Sequence, residues 1–194
     1  IESIREMFSF LIAFIFCEIE QPVHKVVIRG NDDGSKFYRI PTIAMAPDNK
    51  TLIISTDKRW NGNGDLPSKI DVVIKYSKDG GVTWSNAITI SPGLSDPTGY
   101  GDPALIVDHQ IKAVFCLFTG KQGTWGSTKD DPQRIYYCVS YDNGVTWSGM
   151  VEITNMLYGS GCKDPVRSQF YSTFITSGNG IQLRDGRLLI VGAG

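Results

Sequence analysis

After about residue 22 the sequence has almost no stretch at helical period, and nowhere a run of basic residues or two cysteines at C-x-x-C spacing. Each absence removes a class of protein. Without helical periodicity the chain is neither a helical bundle nor an α/β domain. A net charge of -1 with both signs interspersed offers no surface to a polyanion, so no nucleic acid or membrane surface is expected as a partner. The four cysteines, Cys17, Cys116, Cys138 and Cys162, lack metal-ligand spacing, and the two histidines, His24 and His109, stand outside any motif. No metal and no cofactor is therefore expected. Cys116 and Cys138 fall in successive predicted strands, where they either pair or stay as two buried thiols.

Long apolar runs are also missing. The one from Met7 to Cys17 is too short to span a bilayer but has the length of a signal-peptide core. Residues 1–22 are read as a signal or targeting segment, which implies a secreted, periplasmic or cell-surface protein. Against this, Glu2 and Glu6 dilute the positive flank, no A-x-A-like site follows, and Phe16 before Cys17 makes a poor lipoprotein signal. A buried or membrane-docked helix is the alternative.

What remains reads as all-β: short alternating or apolar runs such as "VHKVVIRG", "TLIISTD", "IDVVIKYS", "IKAVFCLFT", "RIYYCVSY", "GIQL" and "RLLIVG", separated by turn sequences such as "PDNK", "DHQ" and "RDG". One run is unusual. "FYRIPTI", Phe37 to Ile43, carries an arginine and a proline inside a strand pattern. Proline cannot donate to a ladder, so this strand belongs at a sheet edge. Strict alternation puts Tyr38, Ile40 and Thr42 on one face and Arg39 and Pro41 on the other. Arg39 then needs water, an acid or an anionic ligand beside it.

The chain also repeats itself. "YSKDGGVTWSNAITI" and "VSYDNGVTWSGMVEI" share S-x-D-x-G-V-T-W-S, with Asp79 and Asp142 63 positions apart, and a matching hairpin precedes each. A third copy begins at "NGIQLRDGRLLIVGAG". Four antiparallel strands repeated at a fixed interval describe a β-propeller of four-stranded blades, with a sandwich as the alternative. Residues 23–194 are read as part of such a propeller, covering roughly two to three blades: blade 1 at about 37–92, blade 2 at about 100–155, and the start of blade 3 at about 178–194. The first strand of each blade then has a free inner edge, where Pro41 and Pro103 are tolerated, and Arg39 and Asp102 stand at the starts of these equivalent strands, at one mouth of the central channel. The segment Asn155–Gly180 interrupts the period, and its Lys163 and Arg167 are read as belonging to a solvated loop.

The two S-x-D-x-G-x-T-W turns resemble the Asp boxes of sialidases, and "FYRIPTI" resembles their F/Y-R-I-P motif. The resemblance covers roughly Phe37 to Gly194 and implies a six-bladed propeller with exo-α-sialidase activity on sialylated glycans, completed by the remaining blades of the same propeller. Asp79, Trp84, Asp142 and Trp147 are then structural residues of the rim. "KDGG" lacks the carboxylate series of a calcium loop. Arg39 matches the first of three arginines that hold the substrate carboxylate, a task suited to a planar bidentate cation. Arg59 matches an arginine near the sugar O4, and Asp65 the general acid/base, with Asp57 and Asp71 as competitors. Asp102 matches an aspartate contacting the O4 or N-acetyl side, or is a plain Asp-Pro strand start. Trp125 either walls the N-acetyl pocket or packs at the rim.

The family also implies a retaining mechanism with a tyrosine nucleophile, since the anomeric carbon already bears a carboxylate that repels an anion. No tyrosine of this chain matches that nucleophile, so the Tyr/Glu pair and two further arginines are expected beyond it, and the fragment alone is expected to be inactive. A trans-sialidase, or a non-catalytic Asp-box propeller serving as a binding or assembly module, is the alternative reading.

Overall fold

The computed structural model describes residues 24–93, 99–175 and 177–194. The segment read as a signal, with Cys17, lies outside the described residues. Alternating β-branched and apolar residues build β1 (Phe37–Met45), β2 (Leu52–Arg59), β3 (Ile70–Ser77) and β4 (Ile88–Ser91), an antiparallel sheet in chain order. β5 (Tyr100–Asp108), β6 (Ala113–Gly120), β7 (Arg134–Ser140) and β8 (Val151–Glu152) repeat that order in a second sheet. The chain is all-β and built of propeller-type blades, as the repeat predicts.

Aspartates shape the turns. Asp48 Oδ1 accepts the amides of Lys50 and Thr51 between β1 and β2, and Asp108 Oδ1 accepts those of Gln110 and Ile111 between β5 and β6. The two repeated motifs form the same turn, bond for bond. Asp79 accepts the Thr83 amide at 2.8 Å and its hydroxyl at 2.6 Å, while Asp142 accepts the Thr146 amide and hydroxyl at the same distances. In each, a serine hydroxyl receives a glycine amide at 2.8 Å, Gly81 to Ser77 and Gly144 to Ser140. The indoles of Trp84 and Trp147 donate to the carbonyls of those same glycines.

The main core lies between the sheets, where Ile53, Val72 and Ile74 meet Leu105, Val114, Cys116 and Phe118, with Trp147 against its edge. Cys116 and Cys138 are register partners on β6 and β7, yet both are free buried thiols, which resolves the two readings of that pair. Burial pushes the Cys116 thiol up to about 12 and that of Cys138 to about 11. A second cluster, Ala104, Ile106, Leu117, Ile135, Tyr158 and Ile175, covers the far face of the second sheet.

The structure corrects four expectations. Lys25–Gly30, within the predicted strand "VHKVVIRG", forms no strand but lies over the outer face of the first sheet, where Lys75 Nζ donates to the Val27 carbonyl at 3.2 Å. The strands expected in "GIQL" and "RLLIVG" are short: β9 (Phe174–Ile175) and β10 (Gly178–Asn179) come first, then β11 (Ile181–Gln182) and β12 (Leu188–Leu189) pair, among the described residues, only with each other, and β13 (Gly192–Ala193) pairs with β9. The inner edge is not free at β5, because β10 pairs with it in parallel at Ala104 and Leu105. The alternation along "FYRIPTI" also fails. A bulge places Ile40 and Pro41 opposite the single residue Thr56, with Ile40 at φ 57°, so the faces change after Arg39. β5 repeats this bulge at Asp102 and Pro103, with Asp102 at φ 57°. Asp102 is therefore equivalent to Ile40, one position beyond the equivalent of Arg39.

Candidate active site

Period-two alternation turns Ile53, Ser55, Asp57 and Arg59 of β2 toward the second sheet. Ile53 joins the core, the Ser55 hydroxyl lies 3.6 Å from Cys116 Sγ, and Asp57 Oδ1 accepts the backbone amide of Asp102 at 2.9 Å. The face therefore changes from apolar to charged as β2 approaches its end. Asp57 is fully buried and Arg59 is 2% exposed. A buried guanidinium needs all its donors used. Each Arg59 nitrogen has a partner: Nε and Nη2 donate to Asp57 at 3.2 and 2.7 Å, and Nη1 to the Asn63 and Gly64 carbonyls at 3.0 and 2.8 Å and to Asp65 at 2.7 Å.

Arg39 reaches the same loop from β1. Its Nη1 donates to the Asn63 carbonyl and to Asp65 Oδ1, each at 3.1 Å. Two guanidinium groups thus share one carboxylate and one carbonyl, and their mutual repulsion is offset by the anion between them. The Asp65 side chain is 74% exposed and faces a cavity of about 300 Å3 whose wall includes Arg39, Asp102, Trp125, Gln133 and Phe174.

Two close approaches set this geometry. A Cβ on Gly101 would lie 3.2 Å from both carboxylate oxygens of Asp57, so the β5 backbone comes near enough for its next amide to be held there. A Cβ on Gly123 would stand 2.0 Å from the Leu66 carbonyl, which locks the Trp125 loop against the Asp65 loop.

The environment separates the acids. Burial, then the nearby Asp102 carboxylate, push Asp57 up to about 7 against the pull of Arg59. Burial also raises Asp102, opposed by the Thr119 hydroxyl that donates to it at 3.2 Å. Burial works against the Arg59 charge, but its bonds to Asp65 and Asp57 outweigh this and raise it.

Of the residues singled out from the sequence, Arg39, Asp65, Asp102 and Trp125 line the cavity, and Trp125 is wholly exposed on the 3-10 turn Thr124–Gly126. Arg59 stands behind Asp65 and holds its loop. Asp57 and Asp71 do not line the cavity, and the Asp71 carboxylate is engaged by the Trp60 indole at 2.8 Å and the Gly93 amide at 2.6 Å. Asp79, Trp84, Asp142 and Trp147 sit at the turns on the opposite ends of the strands. Gln133 and Phe174 had no motif to announce them. Gln133 is 2% exposed, and its carboxamide oxygen accepts the Ser172 hydroxyl at 3.2 Å.

A sialidase of Bacteroides fragilis is 30% identical over 187 residues, which is 88% of this chain and 33% of that protein. One of Micromonospora viridifaciens is 32% identical over 164 residues, covering 79% and 24%. Among solved structures, the Hadza microbial sialidase Hz136 superposes with a TM-score of 0.72 at 28% identity, over 87% of this chain and 36% of that one. This chain belongs to the sialidase family. No protein-family model matches it. The chain spans a third or less of the length of these two curated sialidases. In this chain the paired arginines come from β1 and the end of β2, and the cavity acids from the loop between β2 and β3 and from β5.

Proposed function

We propose that this chain provides part of the active site of an exo-α-sialidase that removes terminal sialic acid from glycoconjugates by hydrolysis. The observation that carries this reading is the convergence of Arg39 and Arg59 on Asp65 at the cavity. The substrate carboxylate takes the Arg39 fork in place of Asp65. Released from Arg39 but still anchored by Arg59, Asp65 protonates the glycosidic oxygen and later activates water. Asp102 accepts from a sugar hydroxyl or amide, and Trp125 offers an apolar wall. The tyrosine nucleophile, its glutamate and two further arginines come from other blades on this reading.

The test is Asp65→Asn in the full-length protein. Turnover of natural sialosides is expected to fall by about 10²–10⁴-fold. An aryl sialoside, whose leaving group needs little protonation, should lose much less. Equal losses on both substrates would remove Asp65 from the acid/base role, and absence of any sialoside turnover by folded wild-type protein would remove the enzyme reading. Product analysis in the presence of an acceptor sugar separates hydrolysis from transfer.

A further inference from the structure

The loop that carries Asp65 contains Asn63 followed by Gly64, a pair whose chemistry can alter the site without any enzyme. An asparagine before glycine is prone to ring closure: the Gly64 nitrogen attacks Asn63 Cγ, the Cγ–Nδ2 bond breaks, and ammonia leaves with the proton that the nitrogen gives up. Water then opens the succinimide at one of its two carbonyls, leaving either aspartate or isoaspartate. No oxidant or other reactant is needed.

The structure distinguishes Asn63–Gly64 from two of the three other Asn-Gly pairs, the third being its neighbour Asn61–Gly62 in the same loop. At Asn143–Gly144 the nucleophile is occupied, because the buried Gly144 amide donates to Ser140 Oγ at 2.8 Å. At Asn179–Gly180 both partners are tied. The Gly180 amide donates to the Leu105 carbonyl at 2.8 Å, and the Asn179 carboxamide is fixed between Thr42 Oγ1 and the Ile43 carbonyl, each at 2.6 Å. Asn63 and Gly64 are both exposed, and among the described residues neither the Asn63 carboxamide nor the Gly64 amide has a partner. A Cβ on Gly64 would meet only Ser68 Oγ at 3.8 Å, so the backbone has room to turn.

The decisive feature is electrostatic. The carbonyl of the peptide whose nitrogen must lose its proton is Asn63 O, and it receives Nη1 of Arg39 at 3.1 Å and Nη1 of Arg59 at 3.0 Å. When that peptide gives up its proton, negative charge moves onto this oxygen, where two cations already point. Donors placed where charge develops lower a barrier at little reorganisation cost.

We propose that the Arg39–Arg59 pair makes Asn63–Gly64 a self-modifying site, in which deamidation converts the loop before Asp65 to isoaspartate. Isoaspartate lengthens the main chain by one carbon and adds a carboxylate beside the same two arginines. That carboxylate competes with Asp65 and with an acidic substrate for them. The loss of activity this implies rests on the sialidase reading above, but the modification itself does not.

The experiment ages the folded protein in mildly alkaline buffer at physiological temperature and follows each Asn-Gly peptide by fragmentation mass spectrometry. Asn63 should deamidate at least about tenfold faster than Asn143 and Asn179, a difference of roughly 1.4 kcal/mol in barrier. Arg39→Gln should slow Asn63 severalfold and leave the other two unchanged. Comparable rates at Asn63, Asn143 and Asn179, or a faster reaction at Asn61, would overturn the proposal, as would an unaltered Asn63 rate in a folded Arg39→Gln protein. The comparison within wild-type protein needs no variant and no sialidase activity. A protein that deamidates as described but cleaves no sialoside would keep this proposal and sink the functional reading.

Discussion

Asp57 shows how a single buried residue can organise a site it does not line. Its carboxylate binds Arg59 through two donors and the Asp102 backbone through one, so it joins β2 to β5 and holds the bulge at Asp102. Asp57→Ala would leave the Arg59 guanidinium short of one anion and the Asp102 amide unpaired. A loss of about 3–5 kcal/mol is expected from breaking such a buried pair, measured by the denaturant midpoint at constant slope. The pH dependence has a definite sign. Asp57 is raised from 3.8 to about 7, so the folded state holds its proton more tightly than the unfolded chain. Its contribution is fully present below about pH 4 and is lost as pH rises through about 7. Stability of Asp57→Asn should lack that slope, and an unchanged slope would remove Asp57 as its source.

At the scale of elements, the two aspartate turns act as clasps that close β3 onto β4 and β7 onto β8. Each carboxylate takes a backbone amide and a hydroxyl from one threonine, and each tryptophan indole ties back to the turn. The Thr83 hydroxyl and amide, with the Ser77 hydroxyl, hold Asp79 down at about 2. This stabilisation is present above the unfolded value of 3.8 and disappears as pH falls through about 2. Carboxyl NMR titration should place the Asp79 midpoint near 2, and Thr83→Val should move it upward. A midpoint at the ordinary aspartate value would mean that the clasp does not form in solution.

For the whole molecule, the question is what covers the outer face of the first sheet. Ile43 and Met45 are 52% and 50% exposed there, beside a cleft of about 430 Å3 lined by Val27, Ile28, Tyr38, Pro41 and Ile54. The Tyr38 hydroxyl is buried without a partner among the described residues. An apolar face of this kind promotes association when no other sheet packs on it. The 194-residue chain by itself should therefore self-associate with concentration in sedimentation velocity, and Met45→Lys should weaken this. A monomer at every concentration would show that Lys25–Gly30 covers the face sufficiently.

Strand order, the paired turns and the candidate acids were legible in the sequence because their signals are local. A period of two makes a strand, S-x-D-x-G-x-T-W contains both partners of its own bonds, Arg39 and Asp102 stand near prolines at strand starts, and Asp65 follows from the resemblance to sialidases. The bulges were half legible: Pro41 and Pro103 announced an irregular edge, but not the positive φ before each proline that changes the faces. Asp57 reads as a rival acid from its residue type alone, whereas its role depends on an amide 45 positions away. Gln133 and the pairing of β10 with β5 left no trace, since both arise from segments brought together only when the sheets pack. Residue order alone settles an all-β repeat with Arg39 and Asp102 near strand starts and Asp65 in a connecting loop. Which acid faces the cavity and which is buried beneath it follows from the packing of the sheets, because burial and neighbouring charge are set there and not by residue type.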